Sequence, residues 1–239
     1  MSNASFVDLL ASFVPRLIQK RALENSAPIE TAFSDELYAV VLFADISGFT
    51  ALTEKLAQRG PVGVETLAHI LNDYFGQLID IVHKHGGDVV KFAGDALLVI
   101  WPLASTSGTA DSVATEAQRQ LTLRAAECAL EICNKFLNYK TEEGTLYLKL
   151  ALASGSLIET HIGGVFNRWE FALTGSPLVE LGAANNLAKA GDILVSPSSL
   201  ALIKNDCDFE KVEFMLNGET NPAARLIKLR NTSQLPAAK

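Results

Sequence analysis

Apolar positions along this chain fall into three kinds of run, and each kind predicts a different element. Val40-Val-Leu-Phe-Ala44 is unbroken and closes on a single acid, Asp45. A continuous β-branched and aromatic stretch of that length reads as a buried central strand. Val64, Leu67, Ile70, Leu71, Phe75, Leu78, Ile79 and Val82 instead recur at helical spacing, so Val62 to His85 reads as one long helix stopped by Gly86-Gly87. Leu121, Ala125, Cys128, Ala129, Ile132 and Phe136 give a second amphipathic helix within Ser112 to Tyr139. Leu146, Leu148, Leu150 and Leu152 alternate, which predicts a strand over Leu146 to Ser154, broken by Gly155.

The weaker patterns fill in the order. Phe6 to Leu23 reads as two short helical pieces kinked at Pro15, with a face too weakly basic for a membrane surface and better suited to docking on the core or a partner domain. Asn25 to Glu36 is a polar linker, and Thr50 to Arg59 a short helix ended by Gly60-Pro61. Gly86 to Trp101 reads as two short strands joined at Phe92-Ala93-Gly94-Asp95, and Pro102 to Asp111 as a mobile loop. His161 to Arg168 predicts a turn, Trp169 to Thr174 a strand, Pro177 to Lys189 a helix and Asp192 to Val195 a buried strand. Phe209 to Leu216 and Ala224 to Leu229 close the chain as edge strands. The sum is an α+β chain with a ferredoxin-like β-α-β-β-α-β core and no internal repeat. Residues 1–36 form a helical lead-in and linker, 37–230 one domain and 231–239 a tail.

Composition narrows the class. A net charge of −7 over 239 residues, with no Lys/Arg cluster, argues against a nucleic-acid surface. No apolar run reaches the roughly 18 residues of a membrane-spanning helix, and the N-terminal residues lack the basic flank and long apolar stretch of a secretory signal. Cys128, Cys133 and Cys207 have no metal-ligand spacing and read as reduced thiols, which fits a cytoplasmic protein. His83 and His85 fall in the last turn of the long helix, two positions apart and facing different ways. That favours capping over metal binding.

Two stretches carry candidate chemistry. Asp45-Ile-Ser-Gly-Phe-Thr50 puts a carboxylate at a strand end beside small and hydroxyl residues that open a helix. Such an arrangement suits a hard cation and the phosphates it binds, although on this stretch alone plain N-capping is the commoner reason for Asp and Ser before a helix. The second acid, Asp95, follows Gly94 in the predicted hairpin about fifty residues on. If the two strands are neighbours, Asp45 and Asp95 converge and hold one or two Mg²⁺ or Mn²⁺ ions.

Together, Val-Leu-Phe-Ala-Asp45-Ile-Ser-Gly-Phe-Thr and Gly-Gly-Asp-Val-Val-Lys91-Phe-Ala-Gly-Asp95-Ala-Leu-Leu resemble the catalytic domain of class III nucleotidyl cyclases. The closest resemblance is to the first cyclase domain of the bicarbonate-responsive soluble adenylyl cyclases and their bacterial multidomain relatives. It spans roughly Phe13 to Pro197. A diguanylate-cyclase-like palm fits poorly, because Gly86-Gly87-Asp88 precedes the hairpin strand rather than forming its tip.

The resemblance implies conversion of ATP to cyclic AMP and pyrophosphate. Asp45, the Ile46 carbonyl and Asp95 would ligate two Mg²⁺ or Mn²⁺ ions, and Ser47, Gly48, Phe49 and Thr50 would hold the β- and γ-phosphates. Lys91 matches a lysine of the family, four residues before the second acid. The rest departs from the pattern. The purine-reading position falls on Ala172, the transition-state Asn on Val179 and the Arg on Ala183, none of which donates a hydrogen bond from its side chain. Losing an Arg of that kind lowers turnover by roughly 10³ to 10⁵. The chain therefore resembles the first half of a pseudo-symmetric pair, completed by a second cyclase domain rather than by a homodimer. Lys91 would face the degenerate site, which in the soluble relatives receives bicarbonate, although their second basic contact falls near Gly182. The alternative is a catalytically silent nucleotide- or anion-binding dimerisation module.

Overall fold

The computed structural model describes residues 14–25, 27–103, 111–216 and 218–230. The described elements run α1 (Arg16–Glu24), β1 (Phe33–Ser47), α2 (Phe49–Ala57), α3 (Pro61–Lys84), β2 (Asp88–Ala93), β3 (Ala96–Pro102) and α4 (Asp111–Phe136). They continue through β4 (Tyr139–Lys140), β5 (Thr145–Gly163), a 3₁₀ turn (Val165–Asn167), β6 (Trp169–Thr174), α5 (Ser176–Leu187), β7 (Ile193–Val195), α6 (Pro197–Ile203), β8 (Cys207–Leu216) and β9 (Glu219–Leu229). The predicted first helical piece before Phe13, most of the loop after Pro102 and the 231–239 tail lie outside the described residues.

The sheet order is β2-β3-β1-β5-β7-β9-β8, with β4 and β6 pairing further stretches of β5. Taken alone, β1, β2, β3 and β5 with their helices make the ferredoxin-like β-α-β-β-α-β core. Its centre explains the unbroken apolar run. Val40, Leu42, Ala44 and Ile46 face one layer, with Tyr74, Leu78 and Val82 of α3 and Ile132 and Phe136 of α4. Ala39 and Val41 face the other, against Leu181 and Ala184 of α5 and Phe214 of β8. Both faces of β1 are covered, so alternation is lost. Truncating a side chain such as Leu42, which is wholly buried, costs about 2–5 kcal/mol.

Several boundaries differ from the sequence reading, for local physical reasons. β1 begins at Phe33, inside the predicted linker, because Phe33 to Tyr38 pair with His161 to Ser156 of β5. Gly155 does not break β5. It pairs with Ala39 in mid-strand, and a Cβ there would meet Pro177 Cγ at 3.0 Å, so the small residue admits the start of α5. The strand therefore runs through His161 to Gly163, and the predicted turn shrinks to the residues after it. Helix α6 has no amphipathic period to announce it, although Ser196 caps it by accepting from Ser199 N–H.

His85 does more than close α3. It is buried, with Nε2 2.7 Å from Glu131 Oε2, and so ties α3 to α4. Helix α1 docks on the core through polar contacts. Leu17 N–H donates to Asp88 Oδ2 at 3.1 Å, and Arg21 reaches Asp35 at 2.7 Å and Glu159 at 3.5 Å. Among the described residues no helix is long and apolar enough to cross a membrane.

Candidate active site at the tips of β1 and the β2–β3 hairpin

Strand pairing decides which acids meet. In the antiparallel β1–β3 ladder Asp45 pairs with Ala96, and in the β1–β5 ladder it pairs with Lys149. β2 and β3 are joined at Gly94-Asp95, with Ala93 opposite Ala96. Gly94 takes φ +67, which a two-residue hairpin loop needs at its first position. Asp95 is therefore the residue next to the partner of Asp45. Acids fifty positions apart in sequence come to the tips of adjacent strands.

The Asp45 side chain is 22% exposed and is held on one oxygen. Lys149 Nζ lies 3.1 Å from Oδ2, and Asn185 Nδ2 donates to the same Oδ2 at 3.0 Å. Lys149 Nζ also donates to the Asn185 main-chain carbonyl at 3.3 Å. Among the described residues no hydrogen bond or ion pair reaches Asp45 Oδ1 or the Asp95 carboxylate. Uncontacted oxygens of two carboxylates on neighbouring tips, with the main-chain carbonyl of Ile46 next in sequence, are hard oxygen donors of the kind Mg²⁺ and Mn²⁺ take. Among the described residues no group of three or more His, Cys, Asp or Glu gathers, here or elsewhere, so the candidate ligands at this corner are two acids and main-chain oxygen.

The backbone after Asp45 is shaped by Gly48. Its φ is +94, and a Cβ on it would sit 2.8 Å from the Thr145 carbonyl oxygen, so only glycine fits. That residue turns the chain straight from β1 into α2. The first helical bond runs from Leu52 N–H to Gly48 C=O, and no side chain caps the helix. The capping alternative for Asp45 and Ser47 therefore fails on geometry. The first-turn N–H groups of Phe49, Thr50 and Ala51 precede any intrahelical bond, and such groups favour anions. Ser47 and Thr50 are exposed beside them.

The remaining sequence-predicted residues lie elsewhere. Lys91 is on β2, beyond β3 from Asp45, and borders a cavity of about 650 Å³ with Arg16, Gln19, His83 and Asp88. In that cavity His83 is pushed below its ordinary value, first by desolvation and then by Arg16. Ala172, on β6, pairs with Thr160 of β5, away from the acid corner. Val179 is 56% exposed on α5, and Ala183 is half-buried. Gly182, near which the second basic contact of the soluble relatives falls, has no described atom within 4 Å of where a Cβ would be.

Two residues of the corner were missed. Lys149 sits among the leucines of β5, and its meeting with Asp45 depends on a cross-strand register that spacing does not reveal. Asn185 follows the buried Ala184 near the end of α5. Only a polar residue so close to a helix–sheet contact hinted at it.

The sequence model of the adenylate and guanylate cyclase catalytic domain matches residues 35–224. Adenylate cyclase type 10 of Oryctolagus cuniculus is 33% identical over 223 residues, which is 92% of this chain and 12% of that protein. The chain thus spans about an eighth of the length of that relative. Among solved structures, the adenylyl cyclase CyaB of P. aeruginosa superposes with a TM-score of 0.65 at 20% identity, covering 83% of this chain and 97% of that one. The guanylate cyclase domain of RhGC from Catenaria anguillulae, solved in complex with GTP, gives 0.63 at 20% identity, covering 82% and 100%.

Proposed function

The chain belongs to the adenylate and guanylate cyclase catalytic domain family, and from that premise we propose that it is the ion-holding half of an adenylyl cyclase that converts ATP to cyclic AMP and pyrophosphate. The observation that carries this reading is the register that pairs Asp45 with Ala96, the residue after Asp95. Domains of this family bind ATP or GTP and pair as dimers, and the identity to adenylate cyclase type 10 supports ATP. Three free cysteines, two of them buried, support a reducing, cytoplasmic setting.

In the reaction, the ribose 3′-oxygen attacks the α-phosphorus in line. A 3′-O–P bond forms, the bond to the β-phosphate oxygen breaks, and the hydroxyl proton is lost as pyrophosphate leaves. Asp45 through Oδ1, the Ile46 carbonyl and Asp95 are the residues that would hold two Mg²⁺ or Mn²⁺ ions. When bound, those ions reduce charge repulsion on the phosphates and make the 3′-hydroxyl easier to deprotonate. The N–H groups of Phe49 and Thr50 and the hydroxyls of Ser47 and Thr50 receive the β- and γ-phosphates. Lys149 is a cation already at the corner, able to exchange Asp45 for a phosphate oxygen.

What this chain does not supply is the group that stabilises the transition state. Val179 and Ala183 stand where the resemblance puts an Asn and an Arg, so a second, complementary cyclase domain is needed for turnover. The test is cyclic AMP formation by this chain alone and mixed with such a domain. The mixture is expected to be active and the chain alone nearly inactive, and Asp45→Ala or Asp95→Ala should return the mixture to background. Activity that survives both substitutions would overturn the proposal. The same two apolar positions favour a second reading, a silent nucleotide-binding dimerisation module. Calorimetry with a non-hydrolysable ATP analogue separates the two: Mn²⁺-dependent binding by the chain supports the enzyme, and binding indifferent to Mn²⁺ supports the silent module.

A further inference from the structure

Two contacts meet on Asn185 near the end of α5, and a third joins their partners to each other. Asn185 Nδ2 donates to Asp45 Oδ2 at 3.0 Å, while the Asn185 main-chain carbonyl accepts from Lys149 Nζ at 3.3 Å. Lys149 Nζ itself lies 3.1 Å from that same Oδ2. The other polar atom of the side-chain amide, Asn185 Oδ1, is buried with no hydrogen-bond partner among the described residues. An orphaned buried acceptor is a cost to the fold. What offsets it is the donor on the other side of the amide.

We propose that Asn185 is a positioning residue for the ion site: its uncharged amide fixes the Asp45 carboxylate through Oδ2 so that Oδ1 is presented to a divalent ion. This rests on the reading of Asp45 as an ion ligand.

The two donors on Oδ2 are not equivalent. Lys149 is a full positive charge, so it repels an ion approaching the same carboxylate. It also ends a flexible stem whose side chain is 23% exposed, and nucleotide phosphates compete for it. Asn185 carries no net charge and is mounted on a helix whose neighbouring residue, Ala184, is wholly buried. It therefore holds the carboxylate when Lys149 leaves, without opposing the ion. Partners of this kind behind a ligating carboxylate are typically worth 10- to 100-fold in metal affinity. The Lys149 contact is to the main chain of Asn185, so replacing the side chain removes one donor and leaves the other.

The experiment titrates the full chain with Mn²⁺ alone, read by electron paramagnetic resonance, in the unaltered protein and in Asn185→Leu, Asn185→Ala and Asp45→Ala. Both Asn185 substitutions are expected to weaken Mn²⁺ binding about tenfold. The melting temperature without metal should stay level, or rise for Asn185→Leu, because the orphaned Oδ1 is gone. Unaltered Mn²⁺ affinity in both Asn185 variants, with none in Asp45→Ala, would overturn this inference and leave the proposed function standing. A loss of affinity matched by a fall in melting temperature in both variants would also overturn it, since packing alone would then explain the effect. Mn²⁺ binding that ignores Asp45→Ala would remove the ion site itself.

Discussion

Helix α5 passes two corners of one sheet and equips them differently. Near its end, Asn185 reaches the Asp45 carboxylate beside Lys149, next to the Asp95 turn. Earlier along the helix it presents Val179, 56% exposed, and, two residues before Asn185, the half-buried Ala183, which packs with the apolar layer around Leu181 and Ala184. The backbone is equally regular at both places, with Ser176–Leu187 a continuous helix. Only the side chains differ: one corner gathers two acids, a lysine and an amide, and the other presents a valine and an alanine where the resemblance puts an Asn and an Arg. Scaffold and chemistry are thus separable: one regular helix serves both places, and under the proposed function only the Asp45 corner holds ion ligands.

The largest effect should come from trying to abolish that difference. Val179→Asn with Ala183→Arg installs the groups that the resemblance assigns to those positions, and Val179 is exposed enough to accept the exchange. A transition-state arginine is worth roughly 10³ to 10⁵ in turnover. Even an imperfectly placed pair should raise cyclic AMP formation by the isolated chain about a hundredfold, measured with Mn²⁺ and ATP. No gain in a variant that still binds Mn²⁺ would mean that the second corner is silent for some reason other than its missing side chains.

How much of this was legible beforehand follows the same division. The acid corner could be read because its pieces are local: a strand ending on Asp45, a Gly-led turn carrying Asp95, and the Ser47-Gly48 break into a helix. Their convergence needed one further fact, that β1 and β3 are neighbours, and the β-α-β-β-α-β order supplies it. Lys149 and Asn185 were invisible because their roles depend on where β5 and α5 register against β1. Nothing in the spacing of 45, 149 and 185 encodes that. The extent of β1 and β5 was misread for a related reason. Phe33 to Glu36 and Gly155 look like linker and breaker until the long β1–β5 ladder supplies their hydrogen bonds.

A smaller effect, with opposite signs at the two corners, comes from one chemical change made twice. Gly48→Ala places a Cβ 2.8 Å from the Thr145 carbonyl oxygen at φ +94. Both problems lie in backbone that cannot yield cheaply, so a loss of about 1–3 kcal/mol is expected. For a chain of this size that is a fall of roughly 5 °C in melting temperature, with weaker Mn²⁺-dependent nucleotide binding. Gly182→Ala, in the interior of α5, meets nothing within 4 Å and has no positive φ to lose. It should stabilise the protein by up to about 1 kcal/mol through helix propensity alone. Calorimetric melting of the two variants reads both. Equal shifts of one sign would erase the claim that the first corner is shaped around its glycine and the second is not.

The smallest effect serves as the control that neither corner should feel. Glu131 of α4 accepts from Lys84 Nζ at 2.8 Å and from His85 Nε2 at 2.7 Å, joining α4 to the end of α3. The Lys84 hydrogen bond first, and the one from His85 second, hold its carboxyl below its ordinary value near 4.5. A carboxyl depressed in the folded state contributes stability that is fully present above the unfolded value and is lost as pH falls through the folded one. Glu131→Gln should therefore lower the melting temperature at pH 7. Glu131 is about a third exposed, so the loss is on the order of 0.5–1 kcal/mol, or roughly 2 °C. The gap between the two proteins should narrow as the pH drops below about 4.5 and close once the carboxyl is protonated in both states. Mn²⁺ affinity at pH 7 should not change, because the strut contacts neither Asp45 nor Asp95. If Glu131→Gln weakened Mn²⁺ binding as Asn185→Leu is expected to, the ion site would depend on the general rigidity of the helical layer, and the local account of the acid corner would fail.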